Sequence, residues 1–217
     1  MYFTYYDIDT NEGTKFQDSI KEFANKHPDG IVITNPPFSL FREFVEVLME
    51  CNLKFLIVGN KNAITYKEVF KYIKANRLWL GYTGVKNFKE PSGDIKTFGN
   101  VGWFTNLDVI TREEEYPLSA RYDKDLYPKY DNYYAINVDK VKEIPYDYEG
   151  YMGIPITFLD KYNPKQFEIC GTTEVEGYRV GLDPSSTKKQ AYIGNRAVFK
   201  RLLIKNLQVR KDEENDN

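Results

Sequence analysis

The chain has 217 residues, two cysteines, one histidine and a formal net charge of −2, which suits a protein with a real core and excludes a disulfide framework or a cysteine–histidine zinc site. Near-balanced charge gives no bulk attraction to polyanions but leaves room for a local basic face. The start, Met1 to Asp7, lacks a basic and then apolar leader, and no run approaches the roughly 18 apolar residues of a membrane span. A soluble, unexported, cytoplasmic protein is expected, with no metal and no membrane partner.

Near the amino terminus, Asp7-Ile8-Asp9-Thr10-Asn11-Glu12-Gly13 reads as an acidic turn, and Asp18 or Ser19 as a helix cap. His27-Pro28-Asp29-Gly30 is a turn signal before the β-branched run Ile31-Val32-Ile33-Thr34, which two prolines end. That run is expected to be a buried parallel strand. From Ser39, a candidate cap, Leu40, Phe41, Phe44, Val45, Leu48 and Met49 recur at helical spacing and predict about three turns of helix.

Leu53 to Val58 is a second apolar run, Tyr66 to Ala75 a second helical pattern, and Leu78-Trp79-Leu80 a third strand. Strands alternating with helices predict βαβ units and a parallel sheet. Beyond Tyr82 the composition shifts to Gly, Pro, Asn and Tyr with short apolar pieces, a β- and loop-rich half. Within it Trp103 to Asp108 is expected at the far edge of the first sheet. Val198 to Val209 is strand-like, and Arg210 to Asn217 is expected to be a disordered polar tail.

The chemistry concentrates in Asn35-Pro36-Pro37-Phe38, at the carboxyl end of the first strand and the entry to a helix, where open α/β sheets bind ligands. The motif suits an exocyclic amine such as adenine N6, whose lone pair is delocalised into its ring. The Asn35 side-chain oxygen and the Pro36 carbonyl are two acceptors for its N–H groups, held stiffly because proline fixes φ and restricts the residue before it. Phe38 offers a flat face for a base rotated out of its stack. Nearby, Asn60 and Asn62 stand after the second strand to touch substrate or brace the loop, and Arg42 and Lys61 are placed to meet a phosphate or a carboxylate.

The blocks Asn35 to Glu43, Phe55 to Asn60, Asn62 to Glu68, Trp79 to Tyr82, Trp103 to Asp108, Tyr127 to Tyr133 and Met152 to Pro164 resemble the EcoRI-type adenine-specific DNA methyltransferase family across roughly Ile31 to Gly171. The resemblance implies methyl transfer from S-adenosylmethionine to adenine N6 in double-stranded DNA, with a flipped adenine. Asn35, Pro36, Pro37 and Phe38 would be the catalytic loop, and Asn60, Asn62, Arg42 and Lys61 would lie on the DNA side. It also implies a cognate restriction endonuclease as partner and a prokaryotic or phage-like host.

The fold expected from it is α/β: a partial Rossmann-like methyltransferase sheet with helices on both faces over 1–110, then a β- and loop-rich target-recognition or accessory region over 111–209. Lys86, Lys89, Lys96, Arg112, Arg121, Lys124 and Lys129 could line a DNA surface. Only 34 residues precede Asn35, and they hold no strand followed by a glycine turn to wrap the cofactor. Asp7, Asp9 and Asp18 are the candidate cofactor-binding acids. A second reading is therefore a non-catalytic or split DNA-binding remnant that borrows its cofactor loop from a second chain.

Overall fold

The computed structural model describes residues 15–89 and 92–211. Asp7 and Asp9 lie outside them, as does the end of the polar tail from Asp212. Helix α1 (Lys15–Lys26) turns at His27 to Gly30 into β1 (Ile31–Thr34). The turn is tight because Gly30 has no side chain: a Cβ there would stand 2.6 Å from the Phe23 ring and 2.9 Å from the His27 carbonyl oxygen.

Helix α2 (Phe41–Glu50) leads to β2 (Lys54–Asn60), and α3 (Lys67–Lys74) to β3 (Trp79–Gly84). Both helices stop at an asparagine in the left-handed region, Asn52 at φ 52° and Asn76 at φ 54°. The following N–H reaches back across the last turn, Leu53 to Leu48 O at 3.1 Å and Arg77 to Tyr72 O at 2.8 Å, which satisfies carbonyls that a helix end would leave open. Ser39 does not cap α2. It lies inside a short 3-10 turn, Phe38–Leu40, and Leu40 takes the cap position without a side-chain bond.

After β3 come a two-stranded hairpin, β4 (Asn87–Lys89) and β5 (Ile95–Thr97), and then β6 (Val101–Thr105). The first sheet has the order β1-β2-β6-β3. Strands β1 and β2 are parallel, while β6 runs antiparallel to both of its neighbours. The sheet is thus mixed, and the segment expected at its far edge is interior. Trp103 pairs with Val58, and the Asn106 side chain accepts from Phe55 N–H and donates to Leu53 O, both at 2.9 Å.

Helix α1 packs on α2 and α2 on α3, with Phe16 stacked on Phe44 at 5.5 Å. The described helices form one row instead of dividing between the two faces, because successive right-handed crossovers in one direction land on the same side. The other face is open at β1. Its alternating exposure leaves Ile31 50% and Ile33 67% exposed while Val32 packs against the core, so β1 is parallel, as expected, but not buried.

The second half builds another sheet from β7 (Ala135–Asn137), β8 (Tyr151–Pro155), β9 (Phe167–Thr172) and β12 (Arg201–Asn206), in the order β7-β8-β12-β9. A small ribbon of β10 (Tyr192–Ile193) and β11 (Arg196–Ala197) precedes β12. One apolar core joins the halves, running from Phe16 to Ile204, and Phe70 meets Tyr178 edge-on at 5.1 Å. The chain is therefore a mixed α/β protein with several small sheets and few helices. Arg210, read as the start of the tail, is held: its N–H donates to Tyr146 O at 3.0 Å and its guanidinium to Leu118 O at 2.8 Å. Among the described residues no helix is long and apolar enough to cross a membrane, and no cluster of three potential metal ligands occurs.

Candidate active site

Register places the candidate loop. Thr34 stands opposite Ile57 on the parallel neighbour, so Asn35 leaves the sheet level with Val58, on the side where β2 continues to Asn60. Pro36 is buried, while Asn35, Pro37 and Phe38 are exposed; Phe38 shows 43% of its surface. The loop is pinned by its middle, and its amide and its ring face outward. The carbonyls that follow are engaged, Pro37 O by Leu40 N–H at 3.0 Å and Phe38 O by the Phe41 N–H.

Three residues beyond Phe38, Phe41 anchors the loop to the sheet. Its ring is edge-on to Phe104 at 4.9 Å and lies over Gly59, where a Cβ would stand 2.5 Å from Phe41 Cζ and 2.9 Å from Phe104 Cδ2. Gly59 thus permits the close approach of α2 to β2 that sets the height of Asn35 above the sheet.

The four residues expected on the DNA side gather around this end of β2, each with an intramolecular partner. Asn60 Oδ1 accepts from Asn62 N–H at 2.9 Å and from Asn100 Nδ2 at 3.1 Å, capping a 3-10 turn over Lys61–Thr65. The Lys61 stem crosses Gly102, and its ammonium lies 3.7 Å from Asp160 Oδ2, both side chains mostly shielded. The Arg42 guanidinium sits 4.7 Å above the Tyr66 ring, tying α2 to the start of α3. Asn62 O accepts from Thr65 Oγ1 at 2.9 Å, and Thr65 Oγ1 accepts from Lys200 Nζ at 3.2 Å.

Sequence reasoning missed Asn100, Asp160, Thr65 and Lys200. Asn100, in a Gly-Asn turn ahead of a strand, carried a local signal; Asp160 and Lys200 reach the site only through tertiary folding. Of the cationic list, Arg112 is partly buried. It lies 4.0 Å from the Trp79 ring centre and 5.5 Å from that of Tyr162, and burial lowers its pKa.

Two upstream features lie among the described residues. Asp18 is exposed in the first turn of α1, and the space beside Gly30 is filled by Phe23.

The sequence model of the family described as "Adenine-specific methyltransferase EcoRI" matches residues 17–208. The chain is 45% identical over 201 residues to the type II methyltransferase M.EcoRI of Escherichia coli, covering 83% of this chain and 59% of that protein. It is 39% identical over 173 residues to M.MpnI of Mycoplasma pneumoniae, covering 70% and 54%, and 40% identical over 160 residues to M.MgeORF184P of Mycoplasma genitalium, covering 64% and 50%. The chain thus spans half to three-fifths of the length of these relatives. No solved structure matches it.

Proposed function

The chain belongs to the EcoRI adenine-specific methyltransferase family, and from that premise we propose that it serves methyl transfer from S-adenosylmethionine to adenine N6 in double-stranded DNA, of the restriction-modification type. In this reading β1-β2-β6-β3 is part of a Rossmann-like methyltransferase sheet, and 111–209 is the region that reads the target. A cognate endonuclease is the natural partner of that activity.

The observation that carries the reading is the loop itself: Asn35 exposed at a strand end, Pro36 buried beneath it, and Phe38 half exposed beside it. A flipped adenine lying on Phe38 directs its amino group to the Asn35 side-chain oxygen and the Pro36 carbonyl. Both accept hydrogen bonds, which localises the nitrogen lone pair toward an incoming carbon. No base of high pKa is needed, since the proton is lost to solvent water only after the C–N bond has formed at the expense of the donor's S–C bond, when the nitrogen is cationic and acidic. Asn60, Lys61, Asn62 and Arg42 act as braces in this scheme, each holding the crevice through the partners described above.

In this reading the described residues act on the substrate side of the chemistry. A second reading follows from the open face of β1: a separate polypeptide carrying the cofactor loop settles there, making this chain one part of a split enzyme.

Calorimetric titration with S-adenosylmethionine separates the two readings. Binding by the chain alone supports the first, and binding only after a cofactor-half polypeptide is added supports the second. In whichever form binds, Asn35→Ala should abolish N6-methyladenine formation in DNA and leave cofactor affinity unchanged. Undiminished turnover would sink the role given to Asn35.

A further inference from the structure

Phe199, just ahead of β12, leaves a large apolar ring in water, 65% exposed against 43% for Phe38. A phenylalanine so placed forgoes the stabilisation of burial, yet its backbone is held from both sides. Val198 N–H donates to Ala191 O at 2.8 Å. The buried Arg201 gives Nη1 to Phe199 O at 2.9 Å, while its Nε and Nη2 bond Asn137 and Asp139 at 3.2 and 3.1 Å. The ring is therefore presented from a fixed stretch of chain.

The Lys200 ammonium places that ring beside the crevice. It lies 3.2 Å from Thr65 Oγ1 and 5.9 Å from the centre of the Phe199 ring. Thr65 ends the 3-10 turn that follows β2, and the next residue, Tyr66, lies under the Arg42 guanidinium from the first turn of α2. A run of contacts thus leads from the helix that follows Phe38, through Arg42, Tyr66, Thr65 and Lys200, to Phe199.

The chain around the ring favours an anionic partner. From Pro184 to Lys211 it holds no aspartate or glutamate, and Lys188, Lys189, Arg196 and Lys200 flank Phe199 along it. Carboxylates from other segments are engaged: Asp139 with Arg201, Asp160 with Lys61 at 3.7 Å, Glu174 with Thr173 Oγ1 at 3.1 Å and Asp183 with Ser185 Oγ at 2.7 Å. Asp131 adjoins the ribbon at Tyr192, where its N–H donates to the carbonyl at 2.8 Å. An apolar ring among cations suits a duplex, whose rim is phosphate and whose interior is base face.

We propose that Phe199 is a wedge that enters the duplex when the target adenine leaves it, filling the vacated step beside the unpaired thymine while Phe38 holds the flipped base. The proposal rests on the flipped-adenine reading above. Rotating a base out of the duplex forfeits its stacking and pairing, and an aromatic ring slid between the flanking bases returns part of the stacking. Such a ring has to be exposed beforehand, and held so that its insertion orders little further chain. Phe199 meets both conditions, and the bond from Lys200 to Thr65 ties it to the end of β2 that neighbours the candidate loop.

The test compares binding of the full chain to an intact random-sequence duplex and to the same duplex with a tetrahydrofuran abasic nucleotide opposite thymine and 2-aminopurine beside it. The gap is then preformed, so the unaltered chain should prefer the abasic duplex by about tenfold, near the smaller end of what a base–aromatic stack supplies. It should also change the 2-aminopurine emission. Phe199→Ala should erase the preference and the emission change, and Phe199→Trp should keep both. Leu207→Ala, beyond the far end of β12 and 53% exposed, should alter neither. Equal affinity of the unaltered chain for the two duplexes, or a preference that survives Phe199→Ala, overturns the wedge while leaving the methyltransferase reading in place. An effect of Phe199→Ala confined to self-association in sedimentation assigns the ring to a protein interface and overturns the wedge as well. Failure of the unaltered chain to bind either duplex overturns both.

Discussion

The two four-stranded sheets are completed to different degrees. In the second, β12 is buried at every position but Lys205 and β9 at every position but Glu168. Its polar groups answer one another: Tyr130 Oη donates to Asn137 Oδ1 at 2.8 Å, and Arg201 Nε donates to the same oxygen at 3.2 Å. Burial raises the Cys170 thiol to about 11 and the Tyr133 hydroxyl to about 12, so both stay neutral under ordinary conditions. The first sheet carries the candidate loop on a strand whose outer face is bare. The second sheet is covered at almost every position; the first leaves exposed the end that bears the candidate loop and the apolar face of β1.

That contrast can be broken by substitution. Phe158 is fully buried between Phe167 and Tyr162, with ring centres 5.1 and 6.1 Å away. Phe158→Ala should lower the unfolding free energy by about 3–5 kcal/mol, read from urea denaturation; a loss under about 1 kcal/mol would mean that this core is not closed. Gly59→Ala, at the joint between the sheet and α2, should cost about 1–3 kcal/mol by overpacking. Adding Phe41→Leu should recover part of that loss, and no recovery would break the link between Gly59 and the loop helix. Ile33→Thr, on the bare face, should shift stability by no more than about 0.5 kcal/mol. A larger destabilisation would show that the face is covered in solution.

Much of the first sheet was legible from local signals. The run Ile31 to Thr34, the double proline and the helical spacing from Leu40 to Met49 each have a local cause, and β1, α2, β2, α3 and β3 fall where those patterns lie. The interior position of β6 was not legible, because Val101-Gly102-Trp103-Phe104-Thr105 reads the same at an edge as between two strands, and only pairing with Val58 and Leu80 decides. The bareness of Ile31 and Ile33 was hidden as well, since a β-branched run signals a strand without saying what lies over it.

For the site, Asn35 to Phe38 could be located from strand, proline and helix order alone. The bracing of Lys61 by Asp160 and of Thr65 by Lys200 depends on residues about a hundred or more positions away, and no local pattern encodes such a separation. The surroundings of Arg112 were hidden for the same reason: a basic residue among polar neighbours gives no local sign that Trp79 and Tyr162 will flank it.

The place of β12 bears on the order in which the chain folds. Strands β8 and β9 do not pair with each other; both pair with β12, which runs from Arg201 to Ile204 against β8 and from Leu202 to Asn206 against β9. During synthesis, the facing edges of β8 and β9 stay unpaired until β12 has followed them out of the ribosome. Such unpaired edges are open to wrong pairing in the interval. The second sheet is complete only when Arg201 to Asn206 stand between partners that share no ladder with each other.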